Sequence, residues 1–273
     1  MEKTFNYRSD NYDRQKQRFI IPLYIKDVLG TYNYSSTGTF LRYNGMNHYL
    51  VFAAHALNNN LSIEDIFIFN NEGKLEQIIK DSVGHRIFVE DDIVIVDYFN
   101  IAFNGKNYFN LNINDLVGFD KNHFGWIGFP ISKTKSVAKV IHNTKSSETL
   151  KKDLIHIDEK GVYFKKMEYF SIETRLMPSN KNTIQGKYNR DNINLKYAGN
   201  RSKGPHPEGM SGGAMYFFTK NQKLKDTLDD TFRFAGIGLE YKDNIIKGIS
   251  KYRIIELLDI FNEENPLQFN LNI

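Results

Sequence analysis

The sequence predicts an all-β protein, a sandwich or barrels, on three observations. Its apolar runs are short, rich in β-branched and aromatic residues, and separated by Asn, Gly, Asp and Lys turns. They recur regularly along 273 residues, a length that suits one extended β unit or two small domains. Helical periodicity is confined to one segment near the end.

In chain order, strands are expected at "RFIIPLYI" (18 to 25), "TGTFLRY" (37 to 43), "HYLVFAA" (48 to 54), "DIFIF" (65 to 69) and "DIVIVDYF" (92 to 99). They continue with "HFGWIGFP" (123 to 130), "SVAKVIH" (136 to 142), "GVYFKKMEYFSIE" (161 to 173), "GAMYFF" (213 to 218), "FRFAGIGLEY" (232 to 241) and "NIIKGIS" (244 to 250). Hairpin turns are expected at "NNEGK" (70 to 74), "DEKG" (158 to 161) and "YKDN" (241 to 244), where Asn, Asp and Gly supply the tight backbone. The polar stretches 143 to 153 and 178 to 192 read as exposed loops or long hairpins. In "SKYRIIELLDIFNEEN", Ile254, Ile255, Leu257, Leu258 and Phe261 fall on one helical face, which places a helix at about 251 to 262.

Composition excludes several classes of function. Thirty-six basic against 32 acidic residues give a net charge of +4, too slight to call for nucleic acid or an anionic membrane. There is no cysteine, so disulfides, thiolate catalysis and cysteine-ligated metal are excluded, and a reducing compartment fits. The first 18 residues are polar and the longest apolar run, "YLVFAAHAL", is far shorter than a membrane span. These features predict a cytoplasmic protein with no membrane partner. No cofactor or metal is expected.

One motif carries chemistry. "PEGMSGGAMYFF" (207 to 218) packs three glycines around Ser211. A hydroxyl is a poor nucleophile at neutral pH and needs a base to take its proton and donors to hold the oxyanion it creates. Gly209 frees the backbone so that its N–H and that of Ser211 can point at one spot, while Gly212 and Gly213 let neighbouring strands approach. A histidine and a carboxylate should then exist elsewhere. His55 ends the apolar strand of "YLVFAAHAL", and Asp92 stands just ahead of an alternating β-branched strand.

"AAH", "DIVIV" and "GMSGG", in the order His, Asp, Ser, resemble the trypsin-like (chymotrypsin-fold) serine peptidases, especially their cysteine-free bacterial members. Gly38, Thr39 and Phe40 match the start of that family's strands leading to the histidine, and "GWIGFP" (125 to 130) resembles the opening of its second barrel. The likeness runs from about residue 19 to 262. It implies two six-stranded antiparallel β-barrels with a C-terminal α-helix, divided as 1–18 polar arm, 19–117 first barrel, 118–250 second barrel and 251–273 helix and tail. It also implies His55 as general base, Asp92 as its orienting acid, Ser211 as nucleophile, and the N–H groups of Gly209 and Ser211 as oxyanion hole. This triad is a standard worked example of acyl transfer, so its roles here are borrowed by likeness. Asp91 and Asp97 are alternative acids. Walls of the specificity pocket would come from Lys203 and His206 on one side and Gly238, Leu239 and Glu240 on the other; the two basic groups favour an acidic substrate side chain and Glu240 a basic one. Met210 stands where many secreted relatives carry Asp, so activation by a freed N-terminus is not expected. Activity is constitutive, or gated by a protein partner or by ordering of the segment 178 to 208. The expected partner is a protein or peptide substrate. The alternative is a protease-fold binding module without activity.

Overall fold

Period-two patterning resolves into eighteen strands in the computed structural model, which describes residues 11–26, 32–45, 47–57, 61–70, 74–103, 105–132, 134, 155–158, 161–164, 169–194 and 201–264. The first half holds β1 (Ile20–Lys26), β2 (Tyr32–Tyr43), β3 (Asn47–Ala53), β4 (Ile66–Phe69), β5 (Leu75–Gln77), β6 (Gly84–Phe88), β7 (Ile93–Asp97) and β8 (Phe109–Asn110). They form one sheet in the order β5-β4-β1-β2-β3-β7-β6, with β8 beside β2. The second half begins with β9 (His123–Gly128), then a hairpin of β10 (Ile155–Asp158) and β11 (Gly161–Phe164), then β12 (Phe170–Arg175) and β13 (Thr183–Lys187). After a short pair, β14 (Ile193–Asn194) and β15 (Arg201–Ser202), come β16 (Ala214–Phe218), β17 (Phe232–Lys242) and β18 (Ile245–Ser250). Here the order is β12-β9-β16-β17-β18-β13.

The second sheet closes on itself: its two edges meet through a bridge between Leu176 and Gly186, and the Met177 N–H donates to the Gln185 carbonyl at 2.9 Å. Counting that closure, both halves share one topology. With the edge strand β5 and the short β8 set aside, the first runs β4-β1-β2-β3-β7-β6 and the second β16-β9-β12-β13-β18-β17. Numbered by sequence within each half, both read 4-1-2-3-6-5, a Greek key extended by two strands. The molecule is therefore a chymotrypsin-like pair of curled antiparallel sheets with a C-terminal helix, as the sequence implied.

Side-chain alternation on β9 explains how the sheets join. Phe124 and Trp126 point into the core of the second barrel with Met210, Met215 and Ile246. Ile127 and Phe129, on the other face, enter a larger core shared with the first sheet. The helix, Lys251–Glu264, adds Ile254, Leu257, Leu258 and Phe261 to that shared core. The two-residue loop of the β17–β18 hairpin, Asp243 and Asn244, has φ of 52° and 62°, the mirror-image turn that matches strand twist.

Some expectations need correction. The run 161 to 173 is two strands, β11 and β12, rather than one. The stretch 178 to 192 contains β13, whose polar "TIQGK" is drawn into the sheet by its ladder with β18. Short β5, β6 and β8 had too little apolar alternation to be seen. The expected strand 136 to 142 and loop 143 to 153 lie outside the described residues. In the polar arm, Asn11–Lys16 is helical and Arg18 is fully buried; the Lys16 ammonium pairs with Glu173 of β12 at 3.3 Å.

Truncating Leu257 to alanine should lower the free energy of unfolding by about 2–5 kcal/mol in urea titrations, because the side chain is fully buried. Tyr252→Ala, at a helix position 68% exposed, should stay within about 0.5 kcal/mol.

Candidate active site

Strand register brings His55 and Asp92 together. β3 pairs with β7 so that Ala53 faces Ile93, and each strand ends there. One residue further on, the Ala54 N–H donates to the Asp92 carbonyl at 3.0 Å. A 3-10 turn, Ala54–Leu57, then ends β3 and carries His55. Asp92 has φ of 55°, a left-handed conformation that Asp tolerates better than most residues. Its carboxylate takes the His55 backbone N–H on Oδ1 at 2.7 Å and faces His55 Nδ1 with Oδ2 at 2.6 Å. The hydrogen bond to Asp92 raises the imidazole pKa above its ordinary 6.5, and partial burial opposes this. With Nδ1 as donor to the carboxylate, Nε2 is the basic nitrogen.

The two other acids have different surroundings. Asp91 is held by Arg253, Nε to Oδ1 at 2.9 Å and Nη2 to Oδ2 at 2.7 Å. Asp97 is fully buried, accepts the Phe99 N–H at 2.6 Å, and burial pushes its pKa up to about 6.

The loop bearing Ser211 is fixed from both barrels. Glu208 carbonyl accepts from the Ile131 N–H at 2.8 Å and Met210 carbonyl from the Gly213 N–H at 2.9 Å. In a planar trans peptide the N–H points opposite the carbonyl, so the N–H groups of Gly209 and Ser211 turn away from those contacts. Neither donates a hydrogen bond among the described residues, whereas the Met210 N–H between them is taken by Pro207 at 2.8 Å. Two glycines make this path feasible. Gly209 (φ 88°) abuts Tyr34 and the Phe129 carbonyl, and Gly212 (φ 82°) lies against Phe52 and Ala53, where a Cβ would come within 3.0 Å of the Ala53 nitrogen. Gly212 thus seats the serine loop beside the strand end that leads to His55.

Ser211 Oγ donates to the Leu239 carbonyl at 2.8 Å, and among the described residues no hydrogen bond joins it to His55. A bulge frees that carbonyl: β17 pairs Gly238 with Gly248 and Glu240 with Lys247, which leaves Leu239 out of the ladder. His55, Asp92, Leu239 and Glu240 line one cleft of about 460 Å³ between the barrels. Gly238 lies over the Trp126 indole. Lys203 and His206 have other partners. Lys203 pairs with exposed Asp191 at 3.1 Å; His206 Nδ1 accepts the Glu208 N–H at 3.2 Å, with its ring edge-on to Tyr241. Sequence reasoning missed Tyr34, Thr37 and Thr39 of β2, which bond the carbonyls of the serine loop. Two threonines either side of Gly38 were the available signal. Among the described residues no group of three His, Asp or Glu side chains could hold a metal ion, and no helix is long and apolar enough to cross a membrane.

No family model matches the chain, and no curated protein matches it. Among solved structures, the serine protease of a human pathogenic astrovirus is similar over 86% of this chain and 90% of that chain, with 13% identity and a TM-score of 0.39.

Replacing Asp92 by asparagine should return the His55 pKa to its ordinary 6.5 or below, since the group that favours the imidazolium is gone. Histidine-resolved NMR titration reads this directly, and an unmoved pKa would rule out the coupling.

Proposed function

We propose that the chain is a trypsin-like serine endopeptidase of the cysteine-free bacterial type, acting in the cytoplasm. The observation that carries this reading is the 2.6 Å contact of His55 with Asp92 beside a serine loop whose 209 and 211 N–H groups are uncommitted. Substrate lies as an extended strand beside β17 and places its carbonyl carbon against Ser211. Ser211 Oγ leaves the Leu239 carbonyl, attacks, and passes its proton to His55 Nε2 while Asp92 stabilises the imidazolium. The two free N–H groups hold the oxyanion. Collapse expels the C-terminal fragment, which takes its proton from His55. Water then gives a proton to His55 and attacks the acyl-enzyme, and the departing Ser211 Oγ takes that proton back from His55. Glu240 and Leu239 form one wall for the substrate side chains, and Gly238, Lys203 and His206 complete the specificity pocket. Narrow specificity or an activating partner keeps such an enzyme from harming its own cell.

A second reading is supported by the Ser211–Leu239 hydrogen bond: a protease fold with its hydroxyl committed elsewhere, serving as a binding module. A fluorophosphonate probe separates the two. The peptidase should be labelled, with Ser211→Ala abolishing the reaction; absence of labelling, together with no cleavage of a proteome-derived peptide library, would favour the module.

Rate should also depend on pH with a defined sign. Neutral His55 is the base and its pKa lies above 6.5, so labelling should rise with pH through a midpoint above that value. Asp92→Asn should slow labelling by about 10⁴-fold and move the midpoint to lower pH.

A further inference from the structure

We propose that Arg253 of the C-terminal helix is a positioning residue for the acid–base pair: its guanidinium clamps Asp91 and so fixes the turn that presents Asp92 to His55. The inference deepens the peptidase reading and rests on it for its consequence, though not for its geometry.

Main-chain contacts hold the base of the turn 89–92: Phe88 pairs with Ile93, and the Asp92 carbonyl accepts the Ala54 N–H at 3.0 Å. Beyond that base the tip is loosely held: Val89 is 81% exposed, Glu90 is exposed without a side-chain partner among the described residues, and the Asp92 N–H donates to the Val89 carbonyl at 3.2 Å. Asp92 itself sits at a positive φ, which Asp tolerates in a turn, so backbone preference leaves contacts to set its orientation. Two side-chain tethers do so. Asp92 grips His55 on one side, and Asp91 is gripped by both ends of the Arg253 fork on the other, at 2.9 and 2.7 Å. A bidentate guanidinium–carboxylate pair fixes orientation as well as distance, which a lysine would not do.

Arg253 is in turn held rigidly. Its neighbours Ile254 and Leu257 are fully buried, and its Nη1 donates to Glu256 at 3.0 Å. Glu256 also binds Lys181 at 3.2 Å. Next to Lys181, Asn182 lines the same cleft as His55 and accepts the Ser250 N–H at 2.9 Å. The chain of contacts Asp91–Arg253–Glu256–Lys181 joins the terminal helix, the acid-bearing turn and the approach to β13 into one frame at the cleft.

Charge and position give opposite signs at His55, which makes the role testable. The charged groups lining its cleft are Glu90, Asp91, Asp92, Glu240 and Lys247. Removing the Arg253 cation and exposing the Asp91 anion would, by charge alone, favour the imidazolium and raise the His55 pKa. Loosening the turn weakens the Asp92 hydrogen bond and lowers it.

The experiment measures the His55 pKa by NMR and the fluorophosphonate labelling rate in the wild-type protein, Arg253→Ala, Arg253→Lys and the charge-free pair Asp91→Asn with Arg253→Met. Positioning predicts a lower His55 pKa and about 10- to 100-fold slower labelling in Arg253→Ala and in the pair. Partial recovery of both is expected in Arg253→Lys, which also carries the test if the alanine variant does not fold. A raised or unchanged His55 pKa would overturn the proposal, as would labelling within about twofold of wild type in a folded Arg253→Ala protein. An unlabelled wild-type protein would overturn the peptidase reading instead, and the NMR arm would still decide the positioning role.

Discussion

Three backbone carbonyls of the serine loop are bound to one strand of the other barrel, and the geometry of the site follows from that. Gly209 carbonyl accepts from the Tyr34 hydroxyl at 2.6 Å and Thr37 Oγ1 at 3.0 Å; Ser211 carbonyl accepts the Thr37 N–H at 3.0 Å; Gly212 carbonyl accepts Thr39 Oγ1 at 2.8 Å. Thr37 and Thr39 are fully buried, so breaking these bonds would leave unpaired polar groups at a cost of about 1–3 kcal/mol each. Apolar packing between the sheets is non-directional and tolerates rotation of a loop. Hydrogen bonds to fixed carbonyls do not. Thr37 also accepts the Phe129 N–H at 3.0 Å, so one side chain ties the end of β9 and the serine loop to β2 together.

The other half of the site obeys a different constraint, that of strand register. Ala53 opposite Ile93 is the last pair of a fully buried ladder, and a slip of one residue would turn every side chain of β3 and β7 to the wrong face. Core burial thereby fixes where His55 and Asp92 emerge. The two constraints meet at the end of β3, where Gly212 lies against Phe52 and Ala53. Neither barrel alone makes the cleft, which explains why its polar groups come from residues far apart in sequence.

Legibility in the sequence followed the physics. Long apolar strands such as β3, β7, β9 and β17 and the terminal helix were visible because each buries a periodic face. Strands β5, β6 and β13 were not, because their residues are half-exposed and their pairing is decided by distant partners. His55, Asp92 and Ser211 stood out through their neighbours: Ala53 and Ala54, the Ile and Val run, and three glycines. The choice of Asp92 over Asp91 and Asp97 came from family likeness; in space Asp91 belongs to Arg253 and Asp97 to the Phe99 N–H. No sequence pattern announced the Leu239 bulge or the β2 threonines, since both act through main-chain atoms whose position only the folded sheets define.

The bulge also decides where the serine hydroxyl rests. A serine hydroxyl at this half-buried position needs a partner, and the Leu239 carbonyl, left out of the ladder, supplies one. A neutral hydrogen bond of this kind contributes about 0.5–1.5 kcal/mol, and turning the hydroxyl toward an imidazole exchanges it for another of similar strength. The resting contact is therefore easily undone. Leu239 belongs to the strand along which a peptide would lie under the peptidase reading, and such a peptide would compete for the environment that holds the serine rotamer. If a peptide lies there, its binding and the release of the hydroxyl would be linked through the Leu239 carbonyl, which the bulge leaves out of the ladder with β18.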